Sequence, residues 1–142
     1  MNKVSIVIPS SPKPSIFNLL QSLKGQKYDE IIIEMLGSSP AQARNIGAKK
    51  VKEGNIIVFL DDDVIVAPNF LENGLKTFLK NKYDFAQSKV VGSQENSPGK
   101  FIGTAMWFTQ DCFNQLTGFC EDYSFFNEDI DIYLRGMDIG IS

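Results

Sequence analysis

The sequence contains no histidine, and this absence limits the chemistry that the protein can perform. Without imidazole groups, a serine–histidine nucleophilic system and metal ligation by histidine are both excluded. Acid–base catalysis would therefore fall mainly to carboxylates. The sequence has only two cysteines, Cys112 and Cys120, which are too few for a zinc site without histidine partners. Such sparse cysteine usage favours an intracellular, reducing setting.

Long apolar runs and clustered positive charge are also missing. No apolar stretch approaches the ~20 residues of a membrane span, and the N-terminus lacks the layout of a signal peptide. The net charge is −3, and the basic residues are scattered, so we expect no nucleic-acid partner. We expect a cytoplasmic protein without an integral membrane segment, and we leave open a peripheral position at a membrane. The length of 142 residues fits one domain, residues 1–142.

Short apolar runs alternate along the chain with segments whose apolar residues recur at helical spacing. The sequence predicts strands at 4–9, 30–35, 55–60, 85–91 and 101–109, and helices at 15–24, 40–53, from 68 onward, 111–116 and 128–137, with 139–142 as the start of another strand. Because the strands are almost wholly apolar, we predict that they are buried on both faces. The pattern indicates a single-domain α/β, Rossmann-like fold with a mostly parallel sheet and helices on both faces.

Two helix predictions carry more detail. Ser39 and Pro40 are typical of an N-cap and a first-turn proline, and the inner face of that helix is predicted to contain Ala43, Ile46, Gly47 and Val51. In the helix after Pro68, the predicted inner face is Leu71, Leu75, Phe78 and Leu79. In the helix at 128–137, it is Ile130, Tyr133, Leu134 and Met137.

Three consecutive carboxylates, Asp61, Asp62 and Asp63, follow the strand IIVFL directly. Parallel sheets bind ligands at the carboxyl ends of their strands, so this position favours a binding site over a solvated acidic turn. Strand alternation would place Asp61 and Asp63 on one face and Asp62 on the other. Because adjacent carboxylates repel one another, we expect a cation here. Oxygen ligands suit Mg²⁺ or Mn²⁺, which also bridge to phosphates.

Other polar and aromatic residues have an ordinary structural interpretation beside a functional one. Glu128 and Asp129 begin the last predicted helix, where acids also serve simply to complement the helix dipole. Arg44, on the helix after Ser39, suits a phosphate, although a lone helical arginine is more often a surface residue. Trp107 and the phenylalanines at 119, 125 and 126 suit stacking on a sugar or a base, although most of them should be core residues.

Three segments follow one another along the chain: VSIVIPS, AQARNIGAKKVKEGNIIVFLDDD and GFCEDYSFFNEDIDIYLRG. In this order they resemble the family-two inverting glycosyltransferases of the GT-A fold, and the resemblance runs from Val4 to about Gly140. Each part is weak alone: an A-R-N-x-G helix, a strand ending in Asp-x-Asp, and a helix with E-D-x-D-x-x-x-R-G. Their order and spacing make the resemblance specific.

The resemblance implies a role for each matching residue. Asp61 and Asp63 would be the Asp-x-Asp carboxylates, with Asp63 the better candidate for contact with a metal, and Asp62 would lie toward the ribose or sugar of the donor. Asp129 would be the catalytic base, with Glu128 beside it. Further donor-binding and acceptor-side candidates are Pro9 and Ser10 at the nucleoside, Glu34 and Arg44 as donor contacts, and Gly118 and Phe119 on the acceptor side.

The sequence departs from the family pattern in two places. Where the family's second strand usually leads into Asp-Asp-Gly-Ser, this chain has Met35, Leu36, Gly37 and Ser38, with Glu34 just before them. We therefore expect a relaxed nucleobase preference, or one that depends on Glu34 or on backbone groups. The chain also stops just after the Glu-Asp helix, where family members usually continue, which predicts a minimal or truncated enzyme.

These observations predict a transferase that moves a sugar from a nucleoside-diphosphate sugar to an acceptor hydroxyl with inversion, assisted by Mg²⁺ or Mn²⁺. The acceptor class is open between a glycan, a lipid-linked molecule and a protein. One alternative is a nucleotide-sugar-binding domain without catalysis. A more remote alternative is a phosphoacceptor receiver, which would need acids at the end of the first strand, where this chain has Pro9, Ser10 and Ser11.

Overall fold

The computed structural model describes residues 3–11, 14–35, 39–88, 105–121 and Ile132. Strands and helices alternate through the first two thirds of the chain, as the sequence predicts. In chain order they are β1 Val4–Ser10, α1 Ser15–Leu23, β2 Glu30–Met35, α2 Pro40–Ala48, β3 Ile56–Leu60, α3 Phe70–Lys80, β4 Phe85–Gln87, β5 Ala105–Phe108 and α4 Gln110–Gln115.

The strands form one five-stranded sheet in the order β2-β1-β3-β5-β4. β1 is parallel to both β2 and β3, whereas β5 is antiparallel to β3 and to β4. The predicted mostly parallel α/β sheet is therefore confirmed, with β5 as its one reversed strand. Because β1 and β3 are adjacent and parallel, their carboxyl ends meet at the same edge of the sheet.

Helices cover both faces of the sheet, as predicted. One face packs against α1 and α3 through Leu19, Leu23, Leu71 and Phe78. The other packs against α2 and α4 through Ala41, Cys112 and Phe113, and Phe119 joins this cluster from the segment after α4. β1 and β3 lie between these two layers, which is why every residue of both strands is buried.

The prediction that β2 is buried is wrong. Its bounds agree with the prediction, but it is an edge strand that pairs with β1. Ile33 is 43% exposed and Met35 is 57% exposed. An apolar run predicts a strand correctly but does not reveal whether a neighbouring strand lies on its far side.

Helix α2 begins as predicted but ends earlier. The Ser39 hydroxyl accepts a hydrogen bond from the Gln42 backbone N–H at 3.1 Å, and Pro40 begins the helix. The predicted end near Glu53 is wrong, because the chain tightens after Ala48 into a turn in which Lys50 N–H donates to Gly47 O at 3.0 Å. In the predicted inner face, Ala43 and Gly47 are buried, but Ile46 is 38% exposed.

Gly47 is required by the close approach of α2 to the sheet. A Cβ at this position would lie 2.5 Å from Cγ1 of Val7, whose side chain is fully buried in β1. A larger residue would therefore push α2 away from β1. The glycine of the A-R-N-x-G motif sets the distance at which the arginine and asparagine of the motif stand from the sheet.

The remaining predicted elements differ at their ends. The third strand begins at Ile56, which is registered with Val4 at the start of β1. Asn55, just before it, is held by its side-chain amide, which donates to Ser5 Oγ and to Asp29 Oδ2, both at 2.9 Å. The helix after Pro68 runs from Phe70 to Lys80, with Leu71 and Phe78 buried but Leu79 39% exposed. The short fourth helix is shifted by one residue relative to 111–116.

Parts of the predictions lie outside the described residues. They are 89–91 and 101–104 of the fourth and fifth strands, the strand at 139–142, and all of the helix at 128–137 except Ile132. Ile132 is helical and fully buried, although the predicted inner face of that helix did not include it. Within the described ranges, no helix combines the length and the apolar character needed to cross a membrane.

Candidate functional site

The carboxyl ends of β1 and β3 are joined by Asp62. This side chain, which is 8% exposed, accepts hydrogen bonds from Ser10 Oγ and from the Ser11 backbone N–H, each at 3.2 Å. The contact places Ser10 and Asp62, both predicted donor-binding residues, side by side at the expected edge of the sheet. Asp62 therefore faces the end of β1, where the first strand leads into α1.

Asp61 faces the opposite direction, toward α2. Its Oδ1 lies 2.9 Å from Nη2 of Arg44, whose side chain is only 5% exposed, whereas that of Asp61 is 33% exposed. Burial raises the pKa of the Asp61 carboxyl, and the nearby Arg44 guanidinium acts in the opposite direction. The structure thus brings together two further predicted donor-site residues. The interpretation of Arg44 as a surface residue is wrong, because the helix turns it inward.

Asp63 is exposed, and in the described part of the chain it makes no hydrogen bond or ion pair. Residues 61–63 follow the strand as a turn, since β3 ends at Leu60. Asp61 and Asp62 nevertheless face opposite ways, as strand alternation predicts, although neither belongs to the strand. Within the described residues there is no group of three or more acidic or cysteine side chains arranged to hold a metal ion. The three carboxylates thus differ: Asp61 pairs with an arginine, Asp62 accepts two hydrogen bonds, and Asp63 is exposed.

Glu34 and Pro9 lie opposite each other in the register of β1 and β2. The Glu34 carboxylate is turned toward the turn that follows α2, where its Oε2 lies 2.8 Å from Nζ of Lys50. Pro9 is buried. Both predicted donor-binding residues therefore stand near the carboxyl edge, with the Glu34 carboxylate held by a lysine, and Met35 follows as an exposed apolar side chain.

Asn45, the residue after Arg44, connects α2 to the segment that follows α4. Its side-chain amide donates to the Phe119 carbonyl at 2.8 Å and accepts from the Phe119 N–H at 2.9 Å. The same amide nitrogen donates to Glu121 Oε2 at 2.8 Å. Gly118 makes the contact possible, because it has a positive φ of 74° and a Cβ there would lie 2.6 Å from Asn45 Oδ1.

Phe119 links this contact to the donor-site residues. Its ring lies 5.3 Å from the Arg44 guanidinium carbon, within the range of a cation–π interaction. Asn45 belongs to the A-R-N-x-G motif, but no contact of its side chain was predicted from the sequence. The signal that was available is the pairing of that motif with a downstream Gly-Phe, 74 residues after Asn45.

The other predicted residues divide into two groups. Trp107 is 2% exposed, and its indole N–H donates to Ser88 Oγ at 2.7 Å, so it is a core residue. Phe119 is also buried, at 3% exposure. The predicted base Asp129, its neighbour Glu128 and the phenylalanines at 125 and 126 lie outside the described residues.

A cavity of about 290 Å³, bordered by Asn45, Lys49, Asn114 and Glu121, opens beside the Asn45 contact.

We predict that Asn45→Asp destabilises the protein by about 1–3 kcal/mol, because the new carboxylate would face the Phe119 carbonyl and the Glu121 carboxylate without a proton to donate. The free energy of unfolding is measured by urea denaturation. Combining Asn45→Asp with Glu121→Gln should recover part of the loss, since the glutamine amide donates where Glu121 accepts. The exposed Asn114→Asp serves as the control, with a change within about 0.5 kcal/mol. If Asn45→Asp were as stable as the wild type, the hydrogen bonds of Asn45 with Phe119 and Glu121 would not contribute to stability.

Comparison with known proteins bears on the family and the fold of the chain. The sequence profile described as "Glycosyl transferase family 2" matches residues 6–131. No curated protein sequence matches the chain significantly.

Three solved structures share the fold. Staphylococcus aureus TarS 1–349 superposes with a TM-score of 0.73 at 15% identity, covering 94% of this chain and 54% of TarS. TarS in complex with UDP-GlcNAc has the same identity and coverages with a TM-score of 0.69. The catalytic domain of Drosophila β1,4-galactosyltransferase 7, in complex with xylobiose, has a TM-score of 0.63 at 16% identity, covering 100% of this chain and 63% of that one.

The chain spans about half the length of the TarS structures that it resembles. At these identities the structural likeness establishes the fold, which is the GT-A type predicted from the sequence. The profile covers nearly the whole chain, including β1 from Ile6 onward, the A-R-N-x-G helix and the three aspartates. On this match, the protein belongs to glycosyltransferase family 2.

Proposed function

We propose that the chain binds a nucleoside-diphosphate sugar at the carboxyl edge of β1 and β3 and transfers the sugar to an acceptor hydroxyl with inversion. The observation that carries this proposal is the constellation of Ser10, Asp62, Asp61 and Arg44 at one edge of the sheet. Family membership supports glycosyl transfer in general. Parallel sheets bind ligands at this edge, because strand ends and helix N-termini leave polar groups there.

The donor nucleoside would bind beside Pro9, Ser10 and Asp62. Asp62 already accepts hydrogen bonds from a hydroxyl and a backbone N–H, so its carboxylate is suited to a ribose hydroxyl. A nucleotide donor is in keeping with the UDP-GlcNAc bound to TarS. At the neighbouring strand end, Glu34 is held by Lys50 and Met35 is apolar, which leaves few charged groups to select a base.

A divalent cation fits this edge through a single carboxylate. Mg²⁺ and Mn²⁺ keep several waters and commonly bind one or two carboxylates together with substrate phosphates, so a three-acid cluster is not required. Asp63 is the exposed carboxylate that suits this role, while Asp61 is engaged by Arg44. When bound, the cation would neutralise negative charge on the leaving diphosphate. Arg44 would keep the neighbouring Asp61 carboxylate ionised and in place.

The proposed reaction is a single displacement at the anomeric carbon. The acceptor oxygen forms a bond to this carbon as the bond to the diphosphate breaks, and the bonding electrons leave with the diphosphate. The proton of the acceptor hydroxyl passes to a carboxylate, which we assign to Asp129, with Glu128 beside it. The transition state would carry oxocarbenium character, as in glycoside hydrolysis.

A second candidate is a nucleotide-sugar-binding domain without catalysis. The observation that favours it is the end of β2, where Glu34 is paired with a lysine and an exposed methionine follows. Both candidates predict donor binding, but only the first predicts turnover of the donor. A transfer assay therefore separates them.

We expect metal-coupled donor binding. In calorimetric titrations, UDP should bind in the presence of Mn²⁺ and lose most of its affinity when EDTA removes the cation, since the diphosphate and Asp63 would share it. Asp63→Ala should weaken the Mn²⁺-dependent binding at least about tenfold, ~1.4 kcal/mol. Glu72→Ala, which removes an exposed acid on α3, is the matched control and should bind as the wild type does. Equal UDP affinity with and without Mn²⁺ would overturn this part of the proposal.

We expect the nucleobase preference to be weak, because Met35 and Leu36 stand where the family pattern has two acids. UDP, GDP, CDP and dTDP are titrated under one set of conditions, and their affinities should fall within about a hundredfold, ~2.7 kcal/mol. A larger preference for one base would show that groups other than these two positions select it. Titration of Glu34→Gln then tests whether Glu34 is one of them.

We predict that Asp129→Asn lowers the rate of sugar transfer by roughly 10² to 10⁴, because the amide keeps the shape of the side chain but cannot accept the proton. Binding of nucleotide and Mn²⁺ should be unchanged. Glu128→Gln, the neighbouring exchange, should cost less. The transfer rate is measured as release of nucleoside diphosphate from the sugar donor that the titrations select. Near wild-type turnover in Asp129→Asn would remove Asp129 from the role of base.

A further inference from the structure

Among the described residues, no strand pairs with the outer edge of β2. β2 stands at the end of the sheet, and β1 is its only partner among the described residues. Ile33 and Met35, on the face covered by α1, are 43% and 57% exposed. An open edge with apolar side chains is a template for pairing with another strand, and proteins usually block such edges.

The register of the sheet identifies the backbone groups that this edge presents. The Ile56 N–H donates to Lys3 O at 2.8 Å, so the odd-numbered residues of β1 direct their backbone groups toward β3 and the even-numbered residues toward β2. Because Ile6 is registered with Ile31, the groups of Ile6 meet those of Glu30 and Ile32. The N–H and C=O groups of Ile31 and Ile33 therefore point outward.

The sequence of this edge is self-complementary. Residues 30–34 read EIIIE in both directions. An antiparallel pairing about a two-fold axis at Ile32 sets Ile31 of each copy opposite Ile33 of the other. The axis therefore generates two equivalent Ile31–Ile33 pairs. These are the residues whose backbone groups point outward, so each pair would exchange two hydrogen bonds. The exposed Ile33 of each copy would then cover the half-buried Ile31 of the other, on the same face of a continuous sheet.

Charge on the opposite face is also accommodated. The same pairing sets Glu30 opposite Glu34, and two carboxylates directly across a strand pair repel each other. Lys50, however, already lies 2.8 Å from Glu34, and its side chain is 56% exposed. Glu30 is held on its own chain, because its Oε2 accepts hydrogen bonds from Ser5 Oγ at 2.6 Å and from the Lys52 backbone N–H at 2.8 Å. The Lys50 ammonium, on the same face, would offset part of the remaining repulsion. Each copy contributes one such lysine, so the two-fold pairing contains both neutralising groups.

We propose that the outer edge of β2 is a homodimer interface, in which two copies of the chain pair β2 antiparallel about Ile32. A six-residue strand is about 20 Å long, so strand pairing with its flanking side chains buries an area at the low end of specific interfaces. The dimer is therefore weak and reversible, with a Kd of about 10–100 µM. This inference does not depend on the proposed enzymatic function.

Sedimentation equilibrium of the full chain between about 1 and 300 µM tests the dimer. The wild type should pass from monomer to dimer across this range. Ile33→Lys should weaken association at least tenfold, because it places a charge against the apolar Ile31 of the partner. Ile65→Lys is the matched control, since Ile65 is 70% exposed in the loop after Asp63, and it should dimerise as the wild type does. A wild type that remains monomeric, or an Ile33→Lys variant that dimerises normally, would overturn the proposal.

Cross-linking tests the register. The two-fold axis sets residue 32 opposite itself in a pair without hydrogen bonds, with Cα atoms about 4.5 Å apart, within the range of a disulfide. In a Cys120→Ser background, Ile32→Cys should form a disulfide-linked dimer on mild oxidation, and Ile33→Cys should not. Cys112 can remain, because burial raises the pKa of its thiol to about 12. Cross-linking through position 33 instead of 32 would refute pairing about Ile32.

Discussion

A buried arginine must be paired, and this constraint organises the carboxyl edge of the sheet. Arg44 is almost fully enclosed, so its charge requires a carboxylate within reach, and Asp61 supplies it at 2.9 Å. The pair fixes α2 against the end of β3. Gly47 allows the helix to approach β1 closely enough for this contact, and Asn45 holds Phe119, whose ring lies near the same guanidinium. Gly47 and Asn45 of the A-R-N-x-G motif thus help to position the buried charge of Arg44, which belongs to the same motif.

The same constraint separates the roles of three adjacent carboxylates. Asp61 is occupied by Arg44, and Asp62 joins the end of β3 to the end of β1. Only Asp63 is exposed. Three consecutive acids look equivalent in a sequence. In the fold, however, their side chains face three different surroundings: Arg44 of α2, the end of β1, and solvent. Their different surroundings explain how one short segment can contain a structural ion pair, a contact with the first strand and a carboxylate suited to a cation.

Local signals allowed most of the secondary structure to be predicted. The bounds of β2, the Ser39 cap and the strand before the three aspartates all follow from short stretches of sequence. The errors concern contacts between distant parts of the chain. The exposure of β2 depends on which strand lies beside it, and the end of α2 depends on the turn that leads into β3. The Asn45–Phe119 contact joins residues 74 positions apart, so no local pattern could reveal it. Arg44 was predicted as a donor contact but not as part of the inner face of α2, because a lone helical arginine does not show its partner.

β2 takes part in both the candidate donor site and the proposed dimer interface. Its carboxyl end is the place where the sequence departs from the family pattern, and it is also the strand that the sheet leaves at its margin. Glu34 belongs to both features, since it stands beside Pro9 at the candidate donor site and is bound by Lys50 at the open edge. If Lys50 is shared with a second copy, its hold on Glu34 weakens, because one ammonium then neutralises two carboxylates. Glu34 would be less fully neutralised in a dimer than in a monomer. The proposed pairing at the edge and the electrostatics of the candidate donor site would then be linked through one lysine.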